Sequence, residues 1–287
     1  MKIDLHIHTT YSDGKTTVKE TLKRIGEDAI FAFADHDTFE AAIEYLKTNK
    51  ENNKLKFITG TEITTKLIFK EKELNLHILG YCFNPKNPEL YNALKDLRNT
   101  RKERTLWLIG ELKTEVGLNP TKSEVDQIAN CSFPHTGLVM ELLVKHKIAS
   151  TMQEARTIIK KLKKQADYIN AKTAIELIVG AGGFAVLAHP TTLIRDGHSY
   201  RFIKKLVKHL KTFGLLGMEV YFSENSEKDM KKFRKMAKKL KMLKTAGSDF
   251  HGGKNLNAVV PHEIFNVGPK GKHFERDIQE LVEKTTQ

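Results

Sequence analysis

Residues 3–8 alternate, with Ile3, Leu5 and Ile7 on one side and Asp4, His6 and His8 on the other. A period of two is the pattern of a strand, because successive side chains leave a pleated backbone on opposite faces. Helical spacing follows at residues 18–28, and a short apolar run at 30–34 stops at Asp35-His36-Asp37. The unit recurs. A helix is predicted near 41–47, a strand at 55–58 running into Thr61-Glu62-Ile63, and a strand at 74–81 that carries His77. Later, a helix at 174–179 leads to a strand at 184–187 ending in Ala188-His189-Pro190, and a helix at 202–213 leads to a strand at 217–222. A basic helix then leads to a strand ending at Ser248-Asp249-Phe250-His251.

Strands alternating with helices predict parallel βα units, and polar residues gathered just past the strand ends predict a barrel with its site on the carboxyl face. The rhythm breaks between Asn99 and Asp167, where helical patterns at 105–116, 134–145 and 152–163 succeed one another without a strand. The expected organisation is an α/β body formed by residues 1–98 and 168–287. An all-helical insertion at 99–167 interrupts it and serves as a cap over the barrel mouth.

A chain of 287 residues with 40% apolar and 29% charged side chains can bury a real core and is not a disordered or low-complexity segment. The first residues lack the charged and apolar regions of a signal peptide, and no run reaches the roughly 20 apolar residues of a membrane span. A cytoplasmic protein without membrane contact is expected. Cys82 and Cys131 are too few for a disulfide framework and lack zinc-thiolate spacing, so both read as small apolar residues. Lys and Arg outnumber Asp and Glu by 48 to 35, a net charge of +13, which favours anionic partners such as phosphate esters or nucleic acid. The densest basic run, eight Lys/Arg from Lys231 to Lys244, interleaves Phe233, Met236, Ala237 and Leu240 at helical spacing and reads as an amphipathic helix with a solvated face.

The candidate chemistry lies at the strand ends. His6 and His8, two residues apart on one strand face, are placed as two ligands of one metal require, and Asp249 with His251 repeats the spacing. His6, His8, Asp13, His36, Glu62, His77, His189, Asp249 and His251 all fall at or near predicted strand ends, and they include half of the chain's 12 histidines. Scattered surface histidines have no reason to select such positions.

These residues form recognisable motifs. Asp4-Leu5-His6-Ile7-His8 with Ser12-Asp13-Gly14, then Asp35-His36-Asp37-Thr38, Gly60-Thr61-Glu62-Ile63-Thr64 and Leu76-His77-Ile78-Leu79-Gly80-Tyr81 are followed by Leu187-Ala188-His189-Pro190 and Gly247-Ser248-Asp249-Phe250-His251-Gly252. Together they resemble the PHP (polymerase and histidinol phosphatase) superfamily of metal-dependent phosphoesterases, with all nine ligand positions of its trinuclear members filled. The resemblance implies a distorted (β/α)7 barrel. The helical insertion is similar to that of the branch that hydrolyses nucleoside 3′,5′-bisphosphates and acts as a 5′→3′ exonuclease on short RNA and DNA. Phe133-Pro134-His135 with Glu141-Leu142-Leu143-Val144 looks like that branch's Arg-Pro-His signature, with Phe133 in place of the arginine, and Tyr168-Ile169-Asn170 departs from its usual Tyr-Val-Pro.

The resemblance implies that His6, His8, Glu62 and Asp249 hold one metal, that Glu62, His77 and His189 hold a second with Glu62 bridging, and that Asp13, His36 and His251 hold a third. Such mixed ligands suit Mn²⁺, Fe²⁺ or Zn²⁺, with manganese the expected metal. A hydroxide shared by the first two ions would attack phosphorus, so Glu62, Asp249 and His251 are the expected catalytic residues. Asp4 and Asp35 are read as carboxylates that orient ligand rings. Arg195, six residues after His189, is the first candidate for a second phosphate, with Arg101, Arg104 and His135 in the insertion behind it. Trp107 is read as core. The expected substrate is a nucleotide or short oligonucleotide, and no obligate protein partner is inferred. The competing readings are a histidinol-phosphate phosphatase and a non-catalytic nucleic-acid-binding module.

Overall fold

The computed structural model describes residues 2–49, 56–162, 168–253 and 262–285. Residue 55 of the expected strand at 55–58 and residues 163–167 at the end of the expected insertion lie outside them. Three parallel strands, β1 (Lys2–Ile7), β2 (Ala29–Phe33) and β3 (Lys56–Phe57), form one sheet in that order. A second sheet is built from β4 (Gly60–Phe69), β5 (Lys72–Tyr81), β6 (Ile169–Asn170), β7 (Phe184–Leu187), β8 (Leu215–Phe222) and β9 (Leu243–Gly247). Its spatial order is β6-β4-β5-β7-β8-β9. The molecule is a mixed α/β protein with helices between most strands.

Two features depart from the expected parallel barrel. β4 and β5 form an antiparallel hairpin in continuous register from Gly60↔Tyr81 to Phe69↔Lys72, and β7 runs antiparallel to β5. The hairpin turns on Lys70 and Glu71, both at positive φ (51° and 60°), as a two-residue primed turn demands. The usual Asn-Gly or Asp-Gly signal is missing there, so the sequence pattern does not announce the hairpin. In addition, the ladder does not close among the described residues. The two sheets meet at isolated parallel bridges, Ile7↔Phe250 and His36↔Glu62. At these junctions His8 N donates to Phe250 O at 2.8 Å and Glu62 N donates to Asp35 O at 3.0 Å. Both fall where strands give way to the polar segments that carry the candidate ligands.

β1 and β2 are buried on both faces apart from Lys2. The polar side of β1 is therefore not a wet face: Asp4, His6 and His8 are each 0% exposed. On the other side Ile7 joins Val18, Ile25, Phe31, Phe33 and Tyr45 in a core cluster. The helix Val18–Ile25 supplies part of it and is started by a reciprocal capping box between Thr17 and Glu20.

The chain divides into two compact units, Met1–Asn92 with Ile169–Gln287, and Ala93–Tyr168. Most of the long helix Pro88–Val116 falls in the second unit, which continues with Lys122–Asn130, Thr136–Lys145 and Met152–Lys160. The long helix begins well before the expected residue 105 because Asn87 accepts from Leu90 N at 2.9 Å and Pro88 occupies the first turn. Leu108, Ile109, Leu112, Val139, Leu143 and Ala155 centre its core, with Trp107 packed against it. No helix among the described residues is long and apolar enough to cross a membrane.

The basic run is not one solvated helix. The helix Glu227–Lys239 ends before β9, where Lys244 is 6% exposed. Asp277, 2% exposed, accepts from Arg234 Nε at 2.6 Å and from the Tyr221 hydroxyl at 2.7 Å, while Lys244 Nζ stands 3.6 Å away. Asp277→Ala leaves two largely buried cations without their shared carboxylate and is expected to destabilise the fold by about 3–5 kcal/mol, measured as a fall in the urea midpoint. Burial alone would raise the Asp277 carboxyl, but the hydrogen bonds from Arg234 and Tyr221 and the charge of Lys244 outweigh it, so its pKa lies below the ordinary value. Its contribution is present above the unfolded carboxylate pKa of about 3.9 and is lost as pH falls through the folded value. The variant therefore loses that part of the acid dependence.

Candidate metal centre

The strand ends are held by carboxylates that bind backbone. Asp4 Oδ1 accepts from Ser248 N at 2.9 Å and His6 N at 3.2 Å, and its Oδ2 accepts from Phe265 N at 2.9 Å. Burial pushes this carboxyl up to about 6 in spite of those bonds. Asp35 accepts from Thr9 N at 2.7 Å, Thr9 Oγ1 at 2.8 Å and Ser12 Oγ at 2.5 Å. Neither carboxylate bonds a candidate ligand ring directly, so the expected ring-orienting role of Asp4 is corrected to a backbone one. Asp35 acts through Ser12. Two of the candidate ligands, His189 (φ 23°) and Asp249 (φ 59°), adopt left-handed backbone, which costs of order 1–3 kcal/mol at a non-glycine residue and turns the chain just past β7 and β9.

The structure brings all nine sequence-predicted ligand candidates together. Glu62, 0% exposed, is their hub. Its Oε2 lies 3.3 Å from His6 Nε2, 3.4 Å from His8 Nε2 and 3.0 Å from His36 Nδ1. Its Oε1 lies 2.9 Å from His77 Nδ1 and 3.0 Å from His189 Nε2. Asp249 Oδ1 stands 3.4 Å from His6 Nε2 and 3.1 Å from His8 Nε2. On the far side, Asp13 Oδ1 stands 3.2 Å from His251 Nε2 and its Oδ2 3.8 Å from His36 Nε2.

Hydrogen bonds set which ring nitrogen points inward. His6 Nδ1 lies 3.0 Å from Glu219 Oε1, so it is the protonated nitrogen and leaves Nε2 facing Glu62. Ser12 gives its one proton to Asp35, so His8 Nδ1, 3.3 Å from Ser12 Oγ, must donate to it. His251 Nδ1 donates to Asp249 O at 2.8 Å. All three rings thus present Nε2 to carboxylates in the cluster.

The donor set fits divalent ions. Ligands bound at about 2.0–2.2 Å stand roughly 3–3.5 Å from one another around one ion, the range of most separations above. His6 Nε2, His8 Nε2, Asp13 Oδ1 and Glu62 Oε2 are buried and make no properly directed hydrogen bond among the described residues. Ligating atoms within 4.8 Å of one another define the groups His6-His8-Glu62-Asp249, His8-Asp13-His36-His251 and His36-Glu62-His77. The first of these is the expected set. His8 and His36 each belong to two groups, which the sequence does not indicate. A further group joins Asp249 and His251 to His262.

Charge points the same way. Burial would lower the imidazole of His6, but Glu62, Glu219 and Asp249 raise it well above the ordinary value, and the close carboxylates of Asp249, Glu62 and Asp13 carry His8 up to about 10 against the same burial penalty. Burial would raise the carboxyl of Glu62, yet His6, His77 and His36 hold it well below the ordinary value. Asp249 is likewise lowered, burial being outweighed by His251, His6 and His8. Carboxylates that stay ionised in a buried pocket create a field that favours a proton on its imidazoles, and the same field favours a divalent cation between them.

Sequence reasoning missed two residues. Glu219 is fully buried in β8, and besides its contact with His6 it accepts from His189 N at 2.7 Å through Oε2. A lone carboxylate inside the apolar strand Leu215–Phe222 was the available signal. His262 Nδ1 donates to Asp249 O at 2.7 Å and its Nε2 faces Glu224 Oε1 at 3.2 Å. No local pattern marks it.

Three of the four expected phosphate contacts have partners of their own. Arg195, 39% exposed, pairs with Glu224. Arg101 stacks over the Phe133 ring, 4.4 Å from its centroid. His135 Nδ1 accepts from Gly137 N at 3.1 Å and caps the helix Thr136–Lys145. Arg104 is half-buried in the helical unit.

Gly247 keeps the site open. A Cβ there would stand 2.3 Å from both Glu219 Oε1 and His6 Cβ, neither of which has room to yield. Gly247→Ala is expected to cost about 1–3 kcal/mol in thermal denaturation and to lower the metal content of the purified protein.

The model of the PHP domain matches residues 4–283. The chain is 27% identical to a 5′-3′ exoribonuclease of Haemophilus influenzae over 90% of its length and 95% of the relative's. It is 28% identical to a phosphoribosyl 1,2-cyclic phosphate 1,2-diphosphodiesterase of Eggerthella lenta (92% and 98%), and 27% identical to a 3′,5′-nucleoside bisphosphate phosphatase of Chromobacterium violaceum (88% and 90%). A solved Chromobacterium violaceum structure described as an amidohydrolase with bound sulfate superposes with a TM-score of 0.70 at 25% identity, covering 96% of this chain and 97% of that one.

Proposed function

This chain belongs to the PHP domain family and is a metal-dependent phosphoric ester hydrolase, and from that premise we propose that its substrates are nucleotides. It removes the 3′-phosphate of nucleoside 3′,5′-bisphosphates, or shortens RNA and DNA oligonucleotides from the 5′ end. The observation that carries the reading is Glu62, whose two oxygens face separate sets of imidazoles inside a buried donor cluster. Support for the nucleotide comes from the exoribonuclease and bisphosphate phosphatase relatives. In this reading the two sheets are the wall of one distorted (β/α)7 barrel, and the helical segment at 99–167 is its substrate-selecting insertion.

His6, His8, Glu62 and Asp249 would hold one ion, Glu62, His77 and His189 a second, and Asp13, His36 and His251 a third, with Mn²⁺ the first candidate and Fe²⁺ or Zn²⁺ the others. Such ions supply an activated water and neutralise phosphoryl charge. The chain's own residues do the positioning. Glu219 and Ser12 hold the imidazoles of His6 and His8 with Nε2 turned toward Glu62 and Asp249. His251, whose side chain is 14% exposed and whose Nε2 faces Asp13, is in this proposal the ring beside the leaving oxygen. Arg195 is the candidate for a second phosphate and would exchange Glu224 for it, and Arg101, Arg104 and His135 are held in the same proposal.

Manganese-loaded protein is expected to release the 3′-phosphate of a nucleoside 3′,5′-bisphosphate or to shorten a 5′-phosphorylated RNA, and dialysis against EDTA is expected to abolish both. Turnover of histidinol phosphate with both nucleotides left intact would replace the nucleotide by that substrate. Turnover of a ribose 1,2-cyclic phosphate alone would move the reaction to that of the Eggerthella relative.

A further inference from the structure

A basic surface lies outside the metal cluster. The helix Tyr200–Lys211 carries Arg201, Lys204, Lys205, Lys208 and Lys211 and no Asp or Glu. The other strongly basic helix, Glu227–Lys239, opens with Glu227 and Asp229 and pairs Lys231 with Glu227 at 3.0 Å. The tip of the β4–β5 hairpin lies against the first helix: the Phe69 ring meets the Phe202 ring edge-on at 5.5 Å, and Lys72 Nζ stands 5.8 Å from the Phe202 centroid. Lys70, Lys72, Arg201 and Lys205 are all exposed. The charges of Lys70 and Arg201 hold the Lys205 ammonium below the ordinary lysine value. Like charges crowded in this way are relieved by a counter-anion. Next to them His198 stacks on Phe202 with ring centroids 4.4 Å apart and planes within 12°. The acids on this rim are Glu71, Glu73 and Asp196, and Glu73 is paired with Lys66 at 2.9 Å.

The position is also informative. β7 ends at Leu187, opposite Ile78, so the part of the hairpin beyond residue 77 toward its tip overhangs the carboxyl end of β7, the end from which His189 enters the cluster. Seven residues separate Glu62 from Phe69, about 23 Å along an extended strand.

We propose that this rim is a docking surface for the sugar-phosphate backbone of single-stranded nucleic acid, with Lys70, Lys72, Arg201 and Lys205 neutralising phosphates and the His198–Phe202 stack presenting a π-face to a base. The identity of the strand rests on the nucleotide reading above. Binding itself does not depend on turnover. An overhanging hairpin and the first turn of a helix present their cations on an exposed rim rather than in one deep pocket, which suits a repeating polyanion better than a single small phosphate ester. Aromatic faces beside the cations favour unstacked bases over a duplex.

The test is fluorescence anisotropy of the metal-loaded protein with a labelled phosphorothioate oligouridylate of 12 nucleotides, across a salt series. The Lys70→Gln/Arg201→Gln/Lys205→Gln variant is expected to raise Kd at least about tenfold at 0.1 M salt and to reduce the salt slope by about 2, from roughly 0.7 for each phosphate neutralised on a single strand. The control Lys231→Gln/Lys235→Gln/Lys238→Gln removes the same charge from the other helix and is expected to change Kd less than twofold. Equal losses in both variants, or none in the first, overturn the proposal. So does equal affinity for a duplex of the same length, or binding to phosphatidylserine vesicles without binding to the oligonucleotide. Bisphosphate hydrolysis by the first variant stays at the parent rate. If the parent hydrolyses no nucleotide but the binding pattern holds, the substrate reading fails and the docking surface stands.

Discussion

Glu62→Gln lowers phosphoester hydrolysis by at least about 10³-fold and strips metal from the protein. The substitution keeps the shape of the side chain and removes the charge shared by the imidazoles of His6, His8 and His36 at one oxygen and His77 and His189 at the other. An amide cannot ligate with both ends, and its NH₂ group would point at one set of ring nitrogens. Loss of an ion that stabilises developing phosphoryl charge costs several kcal/mol, and each 1.36 kcal/mol is a factor of ten in rate. Elemental analysis and steady-state kinetics on the same preparation check the result. Full metal occupancy with hydrolysis within tenfold of the parent would remove Glu62 from the bridging role.

Glu219→Ala weakens metal binding by about 10–100-fold, the usual cost of losing a carboxylate behind a metal-bound imidazole, although Glu219 is not among the proposed ligands. Glu219 sets the inward nitrogen of His6 through one oxygen and fixes the backbone at His189 through the other. Alanine leaves both donors buried and unsatisfied. Each orphaned donor adds about 1–3 kcal/mol of instability, so the thermal midpoint falls together with metal affinity. Excess metal is expected to restore much of the activity of this variant and little of that of Glu62→Gln, because the ligands remain when Glu219 is removed. Metal titration followed by activity separates the two. An unchanged metal affinity in Glu219→Ala would show that His6 is oriented without it.

Much of the fold was legible because its signals are local. A period-two run marked β1 and short apolar runs marked β2, β7 and β8, and the consecutive helical patterns expected at 105–116, 134–145 and 152–163 appear as parts of the helices Pro88–Val116, Thr136–Lys145 and Met152–Lys160. The hairpin of β4 and β5 escaped because Lys70 and Glu71 adopt positive φ without the residues that usually advertise it. The basic run was misread as one helix because periodicity does not show that the chain re-enters the sheet at Leu243, which carries Lys244 into a buried ion pair with Asp277.

What the sequence determined by itself is the set of donors. Side-chain chemistry and a spacing of two belong to the covalent chain, so His6 with His8 and Asp249 with His251 were recognisable before any folding. What only the tertiary structure decided is how those donors are shared and aimed. Glu62 faces five imidazoles drawn from four other segments, and the proton on His6 is placed by Glu219, 213 residues away. Arg195 is claimed by Glu224, which no pattern near residue 195 foretells. Ligand identity is local, whereas tautomer, pairing and protonation are set by neighbours that meet only when the two sheets come together, and electrostatics in a buried pocket depends on those neighbours.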